Sequence, residues 1–182
     1  MRDVFVTKAM EDFILYKTFP SGGTVSLMTG LDKTSSDYND LISIACCFAR
    51  DGREVRILAP VHYRDPMYSR VFGNLIGSRY ERKCPDLLID GLFFEYESYN
   101  RPFRSKKISH MIRRGYTQAS RIIIDNNKGA SDRFIINGVL NRLNDKSFNY
   151  EIIELLVYEK GSVRSLYKKS GREPSSPRST NP

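Results

Sequence analysis

Residues 84–98 read CPDLLIDGLFFEYES. Asp90-Gly91 sits between two short apolar runs. Asp-Gly in that setting marks a two-residue hairpin, because a type I′ turn needs positive φ at both central positions. A turn there pairs Ile89 with Leu92, Leu88 with Phe93, Leu87 with Phe94 and Asp86 with Glu95. Side chains alternate along a strand, so Leu87, Ile89, Leu92, Phe94 and Tyr96 take one face, and Asp86, Leu88, Phe93, Glu95 and Glu97 take the other. The second face gathers three carboxylates. Like charges directly opposed in a sheet repel, so Asp86 and Glu95 call for a divalent cation, a shared proton, hydration or a basic side chain. A hydrated face with ordinary ion pairs is the plain alternative.

The segment after the hairpin offers the cations. RSKKISHMIRRGYTQA (104–119) places Ile108, Met111, Ile112, Gly115 and Ala119 at helical spacing. Lys106, His110, Arg113 and Thr117 form a polar stripe, with Lys107 and Arg114 beside it. Neighbours in sequence tend to be neighbours in space, so this helix is expected against the hairpin. SRIIID (120–125) is a continuous apolar run bounded by NNKG, as in a buried central strand. Ser131 is placed to cap a helix over DRFIINGVLNRL, with Phe134, Ile135, Val139 and Leu143 inward. YEIIELLVYEKGSVRSLYKK reads as a hairpin turning at Lys160-Gly161.

On the N-terminal side, TVSLM (24–28) and EVRILAP (54–60) read as strands. Between them, DYNDLISIACCFARDG puts Leu41, Ile44, Ala45 and Phe48 on one helical face, begins after a cap at Ser36 and stops at Gly52. Residues 61–83, rich in Tyr, Arg, Pro and Gly, form a long connection with one short helix near 67–75; loops of this length are often functional. The expected fold is an α/β (α+β) domain over 24–168, with a mixed, mainly antiparallel central sheet flanked by helices. An arm or extra helix over 1–23 precedes it and a disordered basic tail over 169–182 follows.

A chain of 182 residues with 40% hydrophobic and 12% aromatic residues can bury one core. No apolar run approaches the roughly 20 residues of a membrane-spanning helix, and the acidic residues of MRDVFVTKAMEDF do not suit a signal peptide. Three cysteines, Cys46 and Cys47 adjacent, give neither a disulfide framework nor zinc spacing. A cytoplasmic protein is expected. The net charge of +8 suits a polyanionic partner, RNA or DNA.

The order Pro-Asp, turn, Glu-x-acid, basic helix and buried strand resembles the core of PD-(D/E)xK nucleases. That resemblance makes Asp86 and Glu95 the two metal-holding acids, with Mg2+ as the implied ion. The family's lysine, which helps orient the attacking water, is here Glu97; Lys106, Lys107 or Arg114 could take over its role. Over residues 36–168 the chain also resembles the C-terminal toxin domains of bacterial contact-dependent growth-inhibition proteins, several of which cleave tRNA. The matching stretches are CPDLLIDGLFFEYES, ISHMIRRGYTQAS and RIIID. It is similar too to proteins carried on mobile elements of Bacteroides-group bacteria. Such toxins are described either with a restriction-endonuclease-like fold or with a metal-independent ribonuclease fold akin to barnase and colicin nucleases. The latter implies general acid–base cleavage by His110, Arg114, Glu95 and Arg133, with no cofactor.

The expected function is therefore a ribonuclease acting on structured RNA such as tRNA. Asp86, Glu95, Glu97, His110 and Arg114 are its catalytic candidates, and Lys106, Lys107, Arg113, Gln118 and Arg133 the substrate-binding ones. An immunity protein is a partner that the resemblance implies. The alternative is a non-catalytic module of degenerate nuclease fold that binds nucleic acid or protein. Tyr63, Tyr68, Tyr80 and Tyr99 interleave with Arg64, Arg70, Arg79 and Arg101, a mixture suited to stacking bases and contacting phosphates, although packing is the commoner role for such tyrosines. His62 reads as an exposed structural histidine, and Cys46 and Cys47 as small apolar residues of a helix face.

Overall fold

A computed structural model describes residues 12–99 and 105–169, the side chains of 105 and 106 excepted. Among these residues eight strands form one sheet: β1 (Phe13–Thr18), β2 (Thr24–Met28), β3 (Glu54–Ile57), β4 (Leu87–Ile89), β5 (Leu92–Glu97), β6 (Arg121–Asp125), β7 (Glu154–Glu159) and β8 (Ser162–Lys168). The helices are α1 (Tyr38–Arg50), α2 (Pro66–Phe72), α3 (Ser105–Tyr116) and α4 (Asp132–Leu143). Strand order across the sheet follows strand order along the chain. The β1–β2, β3–β4, β4–β5 and β7–β8 pairs are antiparallel, and β2–β3, β5–β6 and β6–β7 are parallel. The mixed, mainly antiparallel expectation holds.

The β4–β5 hairpin has the register read from sequence, with Leu87 opposite Phe94, Leu88 opposite Phe93 and Ile89 opposite Leu92. Asp90 and Gly91 both have positive φ, 47° and 79°, as a type I′ turn requires. Asp90 does a second job there: its carboxylate accepts from the Glu54 backbone N–H (2.9 Å) and from Arg53 Nε (2.6 Å), tying the turn to β3. The second hairpin turns at Lys160-Gly161, also with positive φ at both residues.

The sheet is covered on both faces. One face buries Val25, Ile57, Leu87, Ile89, Phe94 and Tyr96 against Leu41, Ile44, Ala45 and Phe48 of α1. The other carries Ile122, Ile124, Leu155 and Val157 beneath α3 and α4, while α2 covers Leu88 and Phe93 with Tyr68 and Phe72. Ile122, Ile123 and Ile124 are wholly buried because β6 is packed on both sides.

Several local expectations change, among them that for Leu143 of α4, expected inward but exposed. Residues 13–18, assigned above to an N-terminal arm, form β1 and pair with β2. Their sequence FILYKT conceals this because most of β1 is exposed, so no buried face leaves an alternating pattern. Residues 1–11 of that arm and the tail beyond Lys169 lie outside the described residues. The first residue before α1 is Asp37 rather than Ser36, and its carboxylate turns away from the helix backbone to meet Ser98. The third helix ends at Tyr116, three residues short of the expected 119.

Gly115 sets how closely α3 approaches the sheet. A Cβ there would come within 2.9 Å of Ile122 Cγ2 and 3.1 Å of Glu97 Cγ. Gly115→Ala is expected to lower stability by about 1–3 kcal/mol through overpacking. In thermal unfolding that is a fall of several degrees at this chain length.

Candidate carboxylate site

Helix α1 starts, β4 starts and β5 and β6 finish at the same end of the sheet, as the parallel and antiparallel pairings demand. Asp86 is the residue before β4, and its own carbonyl still accepts from the Leu58 backbone N–H (2.8 Å). Its Oδ2 accepts from the Tyr96 N–H at 2.9 Å. Glu95, opposite Asp86 when the register is continued, has one carboxylate oxygen, Oε2, that is buried with no hydrogen-bond partner.

Burial is the main reason both acids resist ionisation. It pushes Asp86 up to about 6, opposed by the Tyr96 N–H and reinforced by the charges of Glu97 and Asp37. It also holds Glu95 well above the usual carboxylate range, with Asp86 and Glu97 adding to the effect while Arg114 and Lys83 oppose it. Two acids that repel one another in a desolvated place keep a proton or take a cation.

Glu97 lies on the same face, fully buried, and meets α3. Arg114 Nε donates to both of its carboxylate oxygens, at 2.8 and 2.7 Å, and the terminal Nη2 makes a further ion pair. Burial raises the Glu97 pKa, and the arginine opposes that rise. The Arg114 side chain is 58% exposed while that of Glu97 is fully buried, so the pair bridges from the interior to solvent. Ser98 donates its hydroxyl to Asp37 Oδ1 (2.7 Å). On the opposite face, the buried Tyr96 donates to Asp40 Oδ2 (3.0 Å).

Of the residues singled out from sequence, Asp86, Glu95, Glu97 and Arg114 are brought together. His110 is exposed one helical turn before Arg114 and, among the described residues, makes no hydrogen bond to the acids. Arg113 is exposed and lies near Asp145 at the far end of α4, whose carboxyl is held low chiefly by its hydrogen bonds from Ser147, with Arg142 and then Arg113 adding to the effect. Arg133 is exposed at the start of α4, beside the Asp132–Arg164 ion pair. Gln118 does not reach the acids. It belongs to the connection leaving α3, whose next residues Ala119, Ser120 and Arg121 line a hollow with Gly91, Leu92 and Phe93 at the turn end of the hairpin. The parallel β5–α3–β6 crossover carries the chain back to that end. Lys107 sits 5.6 Å over the Tyr99 ring, and the side chain of Lys106 is outside the description.

Sequence reasoning misses Asp37, Ser98 and Lys83. Asp37 has only the look of a helix-start acid. Lys83, three residues before Asp86, carries a signal in its closeness to the Pro-Asp pair.

Cys46 is buried on α1 as expected; Cys47 is half-buried, and its thiol donates to the Gly161 carbonyl (3.2 Å). Among the described residues, no three His, Cys, Asp or Glu side chains converge as a metal cluster, and no helix is long and apolar enough to cross a membrane. No family model, curated protein or solved structure matches the chain.

Proposed function

We propose that this protein cleaves nucleic acid, as a ribonuclease acting on structured RNA such as tRNA. The observation that carries the reading is the opposed pair Asp86 and Glu95, desolvated and with Glu95 Oε2 left without a partner. An unpartnered buried carboxylate oxygen costs stability. Its retention is explained if a ligand completes it.

Mg2+ suits this donor set, since it takes one or two carboxylates from a protein and fills its other positions with water and phosphate oxygens. Asp86 and Glu95 would hold it. A bound Mg2+ supplies Lewis-acid polarisation of a phosphodiester and a more acidic water. The chain's own contribution is then to position. The Tyr96 N–H fixes the Asp86 carboxylate, the Glu97 carboxylate fixes Arg114, and the exposed guanidinium edge of Arg114 is free to meet phosphate charge. The resemblance to growth-inhibition nuclease toxins points the same way. The metal-independent route through His110 has weaker geometric support, because His110 is exposed and unconnected to Glu95.

A second reading has its own observation. Glu97 occupies the place of the nuclease lysine and engages Arg114, which fits a module that binds without turnover. Purified protein incubated with bacterial tRNA and with plasmid DNA, in magnesium, manganese or chelator, separates the two. Glu95→Ala is expected to abolish tRNA cleavage, by at least about 100-fold for a metal-holding or charge-stabilising group. Cleavage unchanged in Glu95→Ala would overturn the site, and no cleavage by the folded wild type would favour the binding module.

A further inference from the structure

The long connection before β4 returns to the carboxylate site. Cys84, two residues before Asp86, donates its thiol to the Val61 carbonyl (3.3 Å), and the Val61 N–H points back at its sulfur (3.5 Å). His62, Tyr63 and Arg64 follow Val61 directly. Arg82 and Lys83 come just before Cys84. The bridge therefore brings both ends of the connection to the place where β4 begins.

There the side chains form a cation–aromatic cluster. Tyr63, 37% exposed, has the Arg82 guanidinium 4.8 Å from its ring centroid and that of Arg64 at 5.4 Å. Arg64 Nε also donates to the Tyr63 hydroxyl (2.9 Å), and the His62 ring lies 4.7 Å from the Tyr63 ring. The only carboxylate within ion-pair distance of either guanidinium among the described residues is that of Glu81, 3.9 Å from Arg82 with both side chains well exposed, a weak pair in water. Most of the other arginines with a partner here have a closer carboxylate. These two are held by an aromatic ring, with donors left over.

Arg82 has φ +68°, a left-handed conformation that glycine adopts without strain and a long side chain does not. The local fold needs a turn at this point; it does not need a guanidinium. A strained residue whose chemistry the turn does not require is a pointer to function.

On this geometry we propose that Tyr63, Arg64, Arg82 and His62 form a binding site for an unpaired nucleotide. The guanidiniums take its phosphate, and the His62–Tyr63 ring pair offers aromatic surface to its base. The Val61–Cys84 bridge puts this cluster at the end of the sheet where β4 begins, and Tyr99, two residues after β5 and backed by Lys107, lies at the same end. The proposal deepens the nuclease reading, on which it rests for the position of the scissile bond, by naming a single-stranded or looped-out segment as the substrate class.

The test is fluorescence anisotropy in chelator, where binding is read without turnover. The probes are a labelled single-stranded RNA of about 12 nucleotides, the DNA of the same sequence, and the RNA annealed to its complement. Tyr63→Ala and Arg82→Gly are each expected to weaken single-strand binding about tenfold, one stacked base or one phosphate contact each, with the duplex affected less than about twofold. Tyr63→Phe keeps the ring and is expected to bind like wild type. Arg82→Gly removes the guanidinium while relaxing φ, so circular dichroism and thermal unfolding should show an intact fold. The RNA and DNA arms distinguish the two sources of nucleotide, and the expected loss in either supports the site. Unchanged single-strand binding in both variants overturns the proposal, as does an equal loss for duplex and single strand. Loss of binding in these variants from a protein that cleaves nothing leaves this site standing and removes the nuclease reading. Cleavage that persists with single-strand binding unchanged does the reverse.

Discussion

Arg114→Ala is expected to lower unfolding stability at pH 7 by about 2–4 kcal/mol, below the figure for a wholly buried pair because more than half of the arginine side chain is exposed. The loss comes from Glu97. Its carboxylate is fully buried, and without the arginine it has no charge partner among the described residues. It must then either stay ionised in a desolvated site or take up a proton, and burial already raises its pKa. Urea unfolding of Arg114→Ala, Glu97→Gln and the double variant checks this. The two single losses should together exceed that of the double, because a neutral amide in place of the Glu97 carboxylate leaves no buried charge when Arg114 is absent. Equal additive effects would mean that the two side chains do not interact in solution.

Glu95→Gln should move the molecule in the opposite direction. Replacing a half-buried carboxylate, one oxygen of which is buried without a partner, with a neutral amide, which can donate to Asp86, is expected to add about 1–3 kcal/mol at pH 8 in chelator while removing cleavage. The pH dependence of the wild type carries the same signature. Asp86 has its folded pKa raised to about 6 from an ordinary 3.8, so between pH 4 and 6 the folded protein retains a proton that the unfolded chain has released. Stability therefore falls as pH rises through this window, by up to about 3 kcal/mol for this one group, and Glu95 extends the fall to higher pH. At lower pH the trend reverses as Asp12 and Asp90, held low by their hydrogen bonds to Arg70 and Arg53, take up protons. Thermal unfolding from pH 4 to 8 should show the decline in the wild type and a shallower one in Glu95→Gln. A flat profile in the wild type would show that the pair is hydrated and unstrained.

The hairpin that gathers the acids is legible because its turn chemistry and its alternation agree, and agreement between local and longer-range signals is what fixes a register. Which cation meets the acids is not legible. Lys106, Lys107, His110 and Arg114 share an arc of about 100°, little more than a quarter of the helical circumference, and the choice of Arg114 depends on how α3 sits on the sheet, set by the contact at Gly115 with Ile122 and Glu97. Asp37 is hidden for a related reason. Its partner Ser98 is 61 residues away, and no local pattern reports a contact of that span. Of the four tyrosines considered for stacking, Tyr68 and Tyr80 are buried in the core; Tyr63 and Tyr99 alone stand where a base could reach them. Loop residues without a period give no sign of which side they will show.

The agreement between strand order in space and strand order in sequence bears on how the chain is made. During synthesis from the N-terminus, each strand that emerges finds the strand it pairs with already present. The sheet can grow along one edge, with the short loop closures that favour rapid folding. Asp86 and Glu95 then come together as soon as the hairpin closes, before Arg114 has been added to the chain. The growing protein passes through a stage at which three acids face one another without their arginine, and water must solvate them until α3 arrives to cover the site.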